Sequence, residues 1–227
     1  MIAVILALAF APGIFWLWYW YRRDKWEPEP KALVLRVFFF GMVAALPSAA
    51  IELLLGFPEA ATMVIVAPIV EETWKLLVVL LFVYFKRECD EPADGIVYAT
   101  AAALGFASAE NIGFMYGAYR LDALTQIFAV RALLSVPAHA LFAGMWGYAL
   151  GVAKCMRISH PVAAVLNGLL IAILLHAAFN AIAWVGGDPV PITGMIAFLL
   201  LTWLMWRMAL RRMNSALASS PYGRSET

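Results

Sequence analysis

ATMVIVAPIVEETWKLLVVLLFVYF, Ala61 to Phe85, decides how this chain is read. The stretch is long and apolar enough to cross a bilayer as one helix, because about 20 apolar residues span the hydrocarbon. Yet VEETWK, Val70 to Lys75, sets two adjacent glutamates and a lysine in its middle. A charged side chain at the bilayer centre costs several kcal/mol, so such groups face the interior of a helix bundle and act there.

The remainder of the chain belongs to the same solvent. Its 227 residues are 64% hydrophobic and 14% charged, with a mean hydropathy of +0.84. A soluble domain is nearer half apolar and a quarter charged. The formal net charge of +1 offers no global attraction for nucleic acid. These numbers predict an all-α, polytopic membrane bundle: one membrane domain over 1–213, and a polar, disordered cytoplasmic tail over 214–227. Seven spans are expected, at roughly 1–21, 33–55, 62–85, 94–118, 125–153, 162–185 and 191–210. EPEP (Glu27 to Pro30), GFPEA (Gly56 to Ala60), KRECDEPAD (Lys86 to Asp94) and GGDPVP (Gly186 to Pro191) separate them with Pro, Gly and charge. The fifth span is long and contains Pro137.

Lysine and arginine set the orientation. Arg22, Arg23, Lys25, Lys31, Arg36, Lys86, Arg87, Lys154, Arg157, Arg207, Arg211, Arg212 and Arg224 fall on one side of a seven-span chain, and Arg120 and Arg131 on the other. The N-terminus is therefore expected outside and the C-terminus in the cytoplasm. WLWYWY, Trp16 to Tyr21, reads as an aromatic belt at the cytoplasmic interface. The first span has its basic cluster after the apolar run and none before it, the pattern of a retained helix rather than a cleaved signal. Cys89 and Cys155 fall in expected cytoplasmic loops, where thiols stay reduced, and neither has a partner at metal-ligand spacing.

Polar residues inside the spans share a depth. Glu71 and Glu72, Glu110 and His176 each lie about eight to ten residues from the outer end of their helix, some 12–15 Å below the outer surface at about 1.5 Å per residue. His139 comes out somewhat deeper. His176 and Asn180 share a helix face, as do Glu71 and Lys75; Glu72 points about 100° away. Two imidazoles and a carboxylate form a common catalytic zinc shell with an open position for water, and a second carboxylate then serves as general base. His139, His176 and Glu110 are the expected metal donors, with Glu72 or Glu71 as base and Asn180 as a ligand or oxyanion donor. The HExxH signature of soluble metalloproteases is absent.

Each residue also has a plainer reading. A lone membrane histidine often holds helices together by a hydrogen bond, and a Glu–Lys pair can be structural or part of a proton relay. His160, in RISHP, reads as an ordinary loop residue, and Arg131 as a snorkelling side chain near the outer interface. Asp94 and DKWEPEPK, Asp24 to Lys31, read as solvated loop and capping residues. A proton-coupled transporter is the rival class, although no inverted halves with broken helices are visible.

EETWK as an E-E-x-x-K motif, FASAEN, the histidine of the fifth span and H-x-x-x-N of the sixth resemble the PrsW family of intramembrane proteases. DKWEPEPKALVLRVFFFG belongs to the same resemblance, which runs from about Asp24 to Ala183. PrsW is related to the CAAX prenyl protease and bacteriocin-processing superfamily. That larger group has a histidine after F-x-x-x in its second motif, where this chain has Glu110 after Phe106, so its metal shell does not transfer as a whole. The resemblance implies a multi-pass protease of the bacterial plasma membrane, making the first cut in the extracytoplasmic part of a single-span anti-sigma factor. It carries Glu71, Glu72, Glu110, His139, His176 and Asn180 over as the candidate site. A CAAX-type prenyl endopeptidase shares this chemistry and would act on a different substrate side.

Overall fold

Proline, glycine and charge mark the turns of the chain. The computed structural model describes residues 1–186 and 192–224. It contains α1 (Ile2–Tyr21), α2 (Lys31–Leu55), α3 (residues 59–84), α4 (Pro92–Arg120), α5 (Leu124–Cys155), α6 (Pro161–Gly186) and α7 (Ile192–Ala218). Helix α2 ends at Gly56, whose φ of 61 is the left-handed cap that glycine adopts without strain. Pro30 and Pro92 stand at the starts of α2 and α4, where a missing N–H costs nothing. Residues 187–191 of the expected GGDPVP break lie outside the described residues.

Among the described residues, each expected span lies on a helix, and α7 runs beyond its own to Ala218. Length and composition qualify α1, α2, α5, α6 and α7 as membrane-crossing. Exposure is inverted relative to a soluble protein. Leu53, Leu54, Leu81, Phe85 and Val185 are each more than 70% exposed, whereas Glu71, Glu72 and Lys75 are buried. Helix α3 directs Ile65, Ile69 and Leu81 outward and its charges inward, as burial in a bundle surrounded by lipid requires.

Helix α4 is the axis of the bundle. Every residue from Pro92 to Ser108 is buried, and the helix packs against α1, α2, α3, α5 and α7. Its Ala- and Gly-rich sequence permits this, since small side chains let backbones approach closely. A Cβ at Gly105 would collide with the Phe38 carbonyl of α2.

Two of the three π-turns among the described residues lie just before a proline in the helices that carry charge. Thr62–Val66 immediately precedes the segment with Pro68, and Arg131–Ser135 precedes the one with Pro137. Proline cannot donate to the preceding turn and crowds its carbonyl, and a widened turn absorbs both effects. Pro137 therefore leaves α5 continuous. Each wide turn leads into a functional stretch: Glu71 and Glu72 on α3, and His139 on α5.

Four sequence expectations change. Asp24, Glu29 and Asp94 are 3%, 1% and 0% exposed rather than solvated, because the 22–30 connector folds against the N-terminus of α4. There Tyr98 Oη donates to Glu29, the Glu29 N–H donates to Asp24 Oδ2 at 3.3 Å, and Asp94 Oδ2 caps the N–H groups of Asp90 and Glu91 at 2.7 and 2.8 Å. Burial first, and neighbouring carboxylates second, push the Asp24 carboxyl up to about 8 and that of Glu29 to about 10. Arg131 does not snorkel: it is 8% exposed, paired with Glu110, because the π-turn rotates it into the bundle. The aromatic run is split, with Trp18 exposed while Trp16, Tyr19 and Trp20 pack edge-on or tilted against Trp206 of α7. The tail expected from residue 214 is helical to Ala218, Ser220 is buried, and Tyr222 Oη donates to Asp90 at 2.7 Å.

Candidate active site

The polar residues of α3, α4, α5 and α6 meet around one ammonium group. Lys75 Nζ donates to Glu71 Oε2 at 3.0 Å and to Glu72 Oε1 at 2.8 Å, and lies 2.9 Å from His139 Nδ1. The i, i+4 and i, i+3 spacings on α3 place both glutamates within reach of the lysine. Lys75 also sits over the Phe106 ring, 4.4 Å from its centroid. Lys75 and Glu72 are fully buried, so each charge depends on this pairing for its stability.

Glu72 points away from solvent into a fixed set of donors. Trp146 Nε1 of α5 donates to its Oε2 at 3.1 Å, and His176 Nδ1 of α6 lies 3.2 Å from its Oε1. With Glu72 as acceptor, Nδ1 of His176 carries the proton and Nε2 keeps the lone pair. Phe142 stacks on the His176 ring at 4.6 Å and fixes its plane.

Glu71, His139 and His176 form the complementary group. One oxygen or nitrogen from each lies within 4.8 Å of the others, and all three residues are buried. Their two imidazole rings stand edge to face, 5.3 Å apart. On the far side of His139, Glu110 Oε2 is 3.4 Å from Nε2 and 2.6 Å from Arg131 Nη2. Arg131 Nε donates to Asn111 Oδ1, and Asn111 Nδ2 donates to the Ala9 carbonyl at 3.2 Å. Asn180 Nδ2 donates to the Met63 carbonyl at 2.9 Å, which ties α6 to the first π-turn of α3. The structure thus brings Glu71, Glu72, Glu110, His139 and His176 together, with Asn180 at the edge. His160 is exposed just before α6, and the helix rises about 24 Å from there to His176 at 1.5 Å per residue.

A cavity of about 810 Å³ opens beside them, bounded by Glu71, Glu110, Arg131, His139, His176 and Asn180 and otherwise mainly apolar. Its rim includes Gly56, Phe57 and Thr62, at the end of the bundle opposite Lys86 and Lys154. Sequence reasoning missed Glu52 of α2, which also lines this cavity and accepts from Ser48 at 3.0 Å. Its signal is a glutamate inside the apolar run PSAAIELLLG. Trp146 gave no signal, since one tryptophan among nine cannot be singled out without its contact to Glu72.

Paired carboxylates and histidines buried beside an apolar cavity are a peptidase-like constellation, and comparison with known proteins resolves which one. Residues 29–206 match the model of the PrsW family intramembrane metalloprotease. The chain belongs to the PrsW family. It is 39% identical to Protease PrsW of Geobacillus kaustophilus over 66% of this chain and 67% of that protein. It is 34% identical to Protease PrsW of Bacillus subtilis over 78% and 82%, and 32% identical to that of Shouchella clausii over 92% and 96%. No solved structure matches the chain. PrsW membership makes this chain a membrane-embedded peptidase and a multi-pass bacterial membrane protein, which sets aside the transporter reading.

Proposed function

We propose that this PrsW-family chain is a metal-dependent intramembrane protease that cuts a single-span membrane protein, such as an anti-sigma factor, near the outer face. The observation that carries this reading is the donor group of Glu71, His139 and His176 at the wall of the cavity. Seven crossings with the N-terminus outside and the C-terminus in the cytoplasm put the cavity rim on the outer side, since the rim lies opposite Lys86 and Lys154.

The residues fit a metal ion. Glu71 and His139 already turn their donor atoms toward a cation, the Lys75 ammonium. Glu72 orients His176 through Nδ1, the carboxylate–histidine pairing that supports metal-ligating imidazoles. Glu71, His139 and His176 would hold the ion, and a zinc ion held there supplies Lewis-acid chemistry and activates water near neutral pH. Glu72, with no exposure, acts as a positioning residue for His176. Glu110, on the cavity wall, takes the proton from water and returns it to the leaving amine, and Arg131 keeps its carboxylate in one orientation. This exchanges the sequence-based roles of Glu71 and Glu110. Asn180 commits one N–H to Met63 and keeps the other, with its carbonyl oxygen, for the substrate backbone.

Purified protein, a panel of single-span substrates and metal analysis test the assignment. Glu110→Gln is expected to retain metal and lose on the order of 10²–10⁴ in rate, whereas Glu71→Gln and His176→Ala lose metal and activity together. Glu71→Gln with full metal content and a comparable rate loss restores the original roles. Undiminished proteolysis by rigorously metal-free protein overturns the metal mechanism.

A further inference from the structure

A second group of carboxylates lies at the other end of α4. From Asp94 to Glu110 the helix rises about 24 Å at 1.5 Å per residue, so this group is separate from the active site. One carboxylate oxygen from each of Asp24, Glu91 and Asp94 lies within 4.8 Å of the others, and all three residues are buried. Glu91 and Asp94 form the capping box at the start of α4, and the 22–30 connector brings Asp24 to them.

The unused oxygens point to a ligand. Asp24 and Asp94 each accept backbone N–H donors on Oδ2, leaving Oδ1 buried without a partner. Glu29, outside that trio and 1% exposed, accepts from Tyr98 on Oε2 and leaves Oε1 buried and unpartnered. Its carboxyl lies beside that of Asp94. Glu91 turns its carboxylate toward the Asp94 backbone N–H as the N-cap of α4, too loosely for a full hydrogen bond, and both of its oxygens are buried. Buried polar atoms are nearly always satisfied, and among the described residues no lysine or arginine forms an ion pair with any of the four. An all-oxygen, all-carboxylate donor set suits hard divalent cations, with ligand distances of about 2.0–2.6 Å.

We infer that Asp24, Glu29, Glu91 and Asp94 bind one hard divalent cation, Ca²⁺ or Mg²⁺, which fastens the 22–30 connector to the N-terminus of α4. The cation neutralises charge that the fold buries and ties the connector to the helix start that Glu91 and Asp94 already cap. Nothing in this assignment depends on the peptidase chemistry.

Mn²⁺ is the probe, followed by electron paramagnetic resonance on the full chain in nanodiscs. The expected result is one saturable Mn²⁺ site that Ca²⁺ or Mg²⁺ displaces; whichever competes more tightly identifies the ion. The site persists in His176→Gln and weakens by roughly tenfold or more in Glu91→Gln and in Asp24→Asn. In the His176→Gln background, which lacks the active-site ion, chelator lowers the Tm, and it no longer does so once Glu91→Gln is added. Loss of the Mn²⁺ signal in His176→Gln with retention in Glu91→Gln assigns the ion to the other site and overturns the proposal. Absence of saturable binding, with a Tm indifferent to chelator, means that the carboxylates share protons instead, and overturns it equally.

Discussion

The Lys75 ammonium lies within 3.0 Å of Glu71, Glu72 and His139, so one side chain balances two buried carboxylates. Lys75→Met keeps the length of the side chain and removes its charge. It is expected to destabilise the fold by about 3–5 kcal/mol, the cost of leaving a buried ion pair without one partner. Unfolding in mixed micelles measures this, and a change below about 1 kcal/mol would show that the pair is effectively solvated. Trp146→Phe preserves most of the packing and removes the donor to Glu72 Oε2. The expected result is a folded protein whose activity falls and whose metal affinity drops by about 10–100-fold, because Glu72 then holds His176 less firmly. Unchanged metal affinity would separate Trp146 from the site.

At the scale of elements, α4 works because its residues are small. Gly105→Val would drive side-chain atoms into the Phe38 carbonyl of α2, a contact that only backbone movement relieves. The expected cost is at least 1–3 kcal/mol, roughly the range for overpacking, read as lost thermal stability or lost folded yield. Gly113→Ala on the same helix meets open space and should leave both unchanged. Equal behaviour of the two variants would disprove the close α2–α4 packing. The π-turns before Pro68 and Pro137 act at this scale too. Each shifts the phase of its helix just before Glu71 or His139, and ideal helical spacing does not encode that shift.

For the whole molecule, the distribution of Lys and Arg predicts opposite sides for the two ends of the bundle. Cys89 is a poor reporter, because it is buried and burial pushes its thiol pKa well above the usual range. In a chain lacking Cys89 and Cys155, His160→Cys and Leu121→Cys provide exposed thiols at opposite ends. An impermeant reagent added to intact cells should label Leu121→Cys and spare His160→Cys. The reverse pattern would invert the bundle and place the cavity rim in the cytoplasm.

Sequence alone determined the solvent, the helices and most of the ionisable residues at the cavity, with Glu52 and Arg131 the exceptions. Apolar runs of membrane length need no partner to be recognised, and a charge inside one is conspicuous because hydrocarbon penalises it. The common depth of Glu71, Glu72, Glu110 and His176 followed from about 1.5 Å per residue, and His139 came out somewhat deeper. Tertiary structure decided azimuth and partnership. Helix phase is altered by the π-turns, so the turn of Arg131 toward Glu110 was not legible in the sequence. Neither was the division of labour between Glu71, facing the cavity, and Glu72, facing Trp146 and His176. The burial of Asp24, Glu29, Glu91 and Asp94 was hidden for a related reason. Their segments look hydrophilic locally, and only the closure of the 22–30 connector over α4 removes them from water.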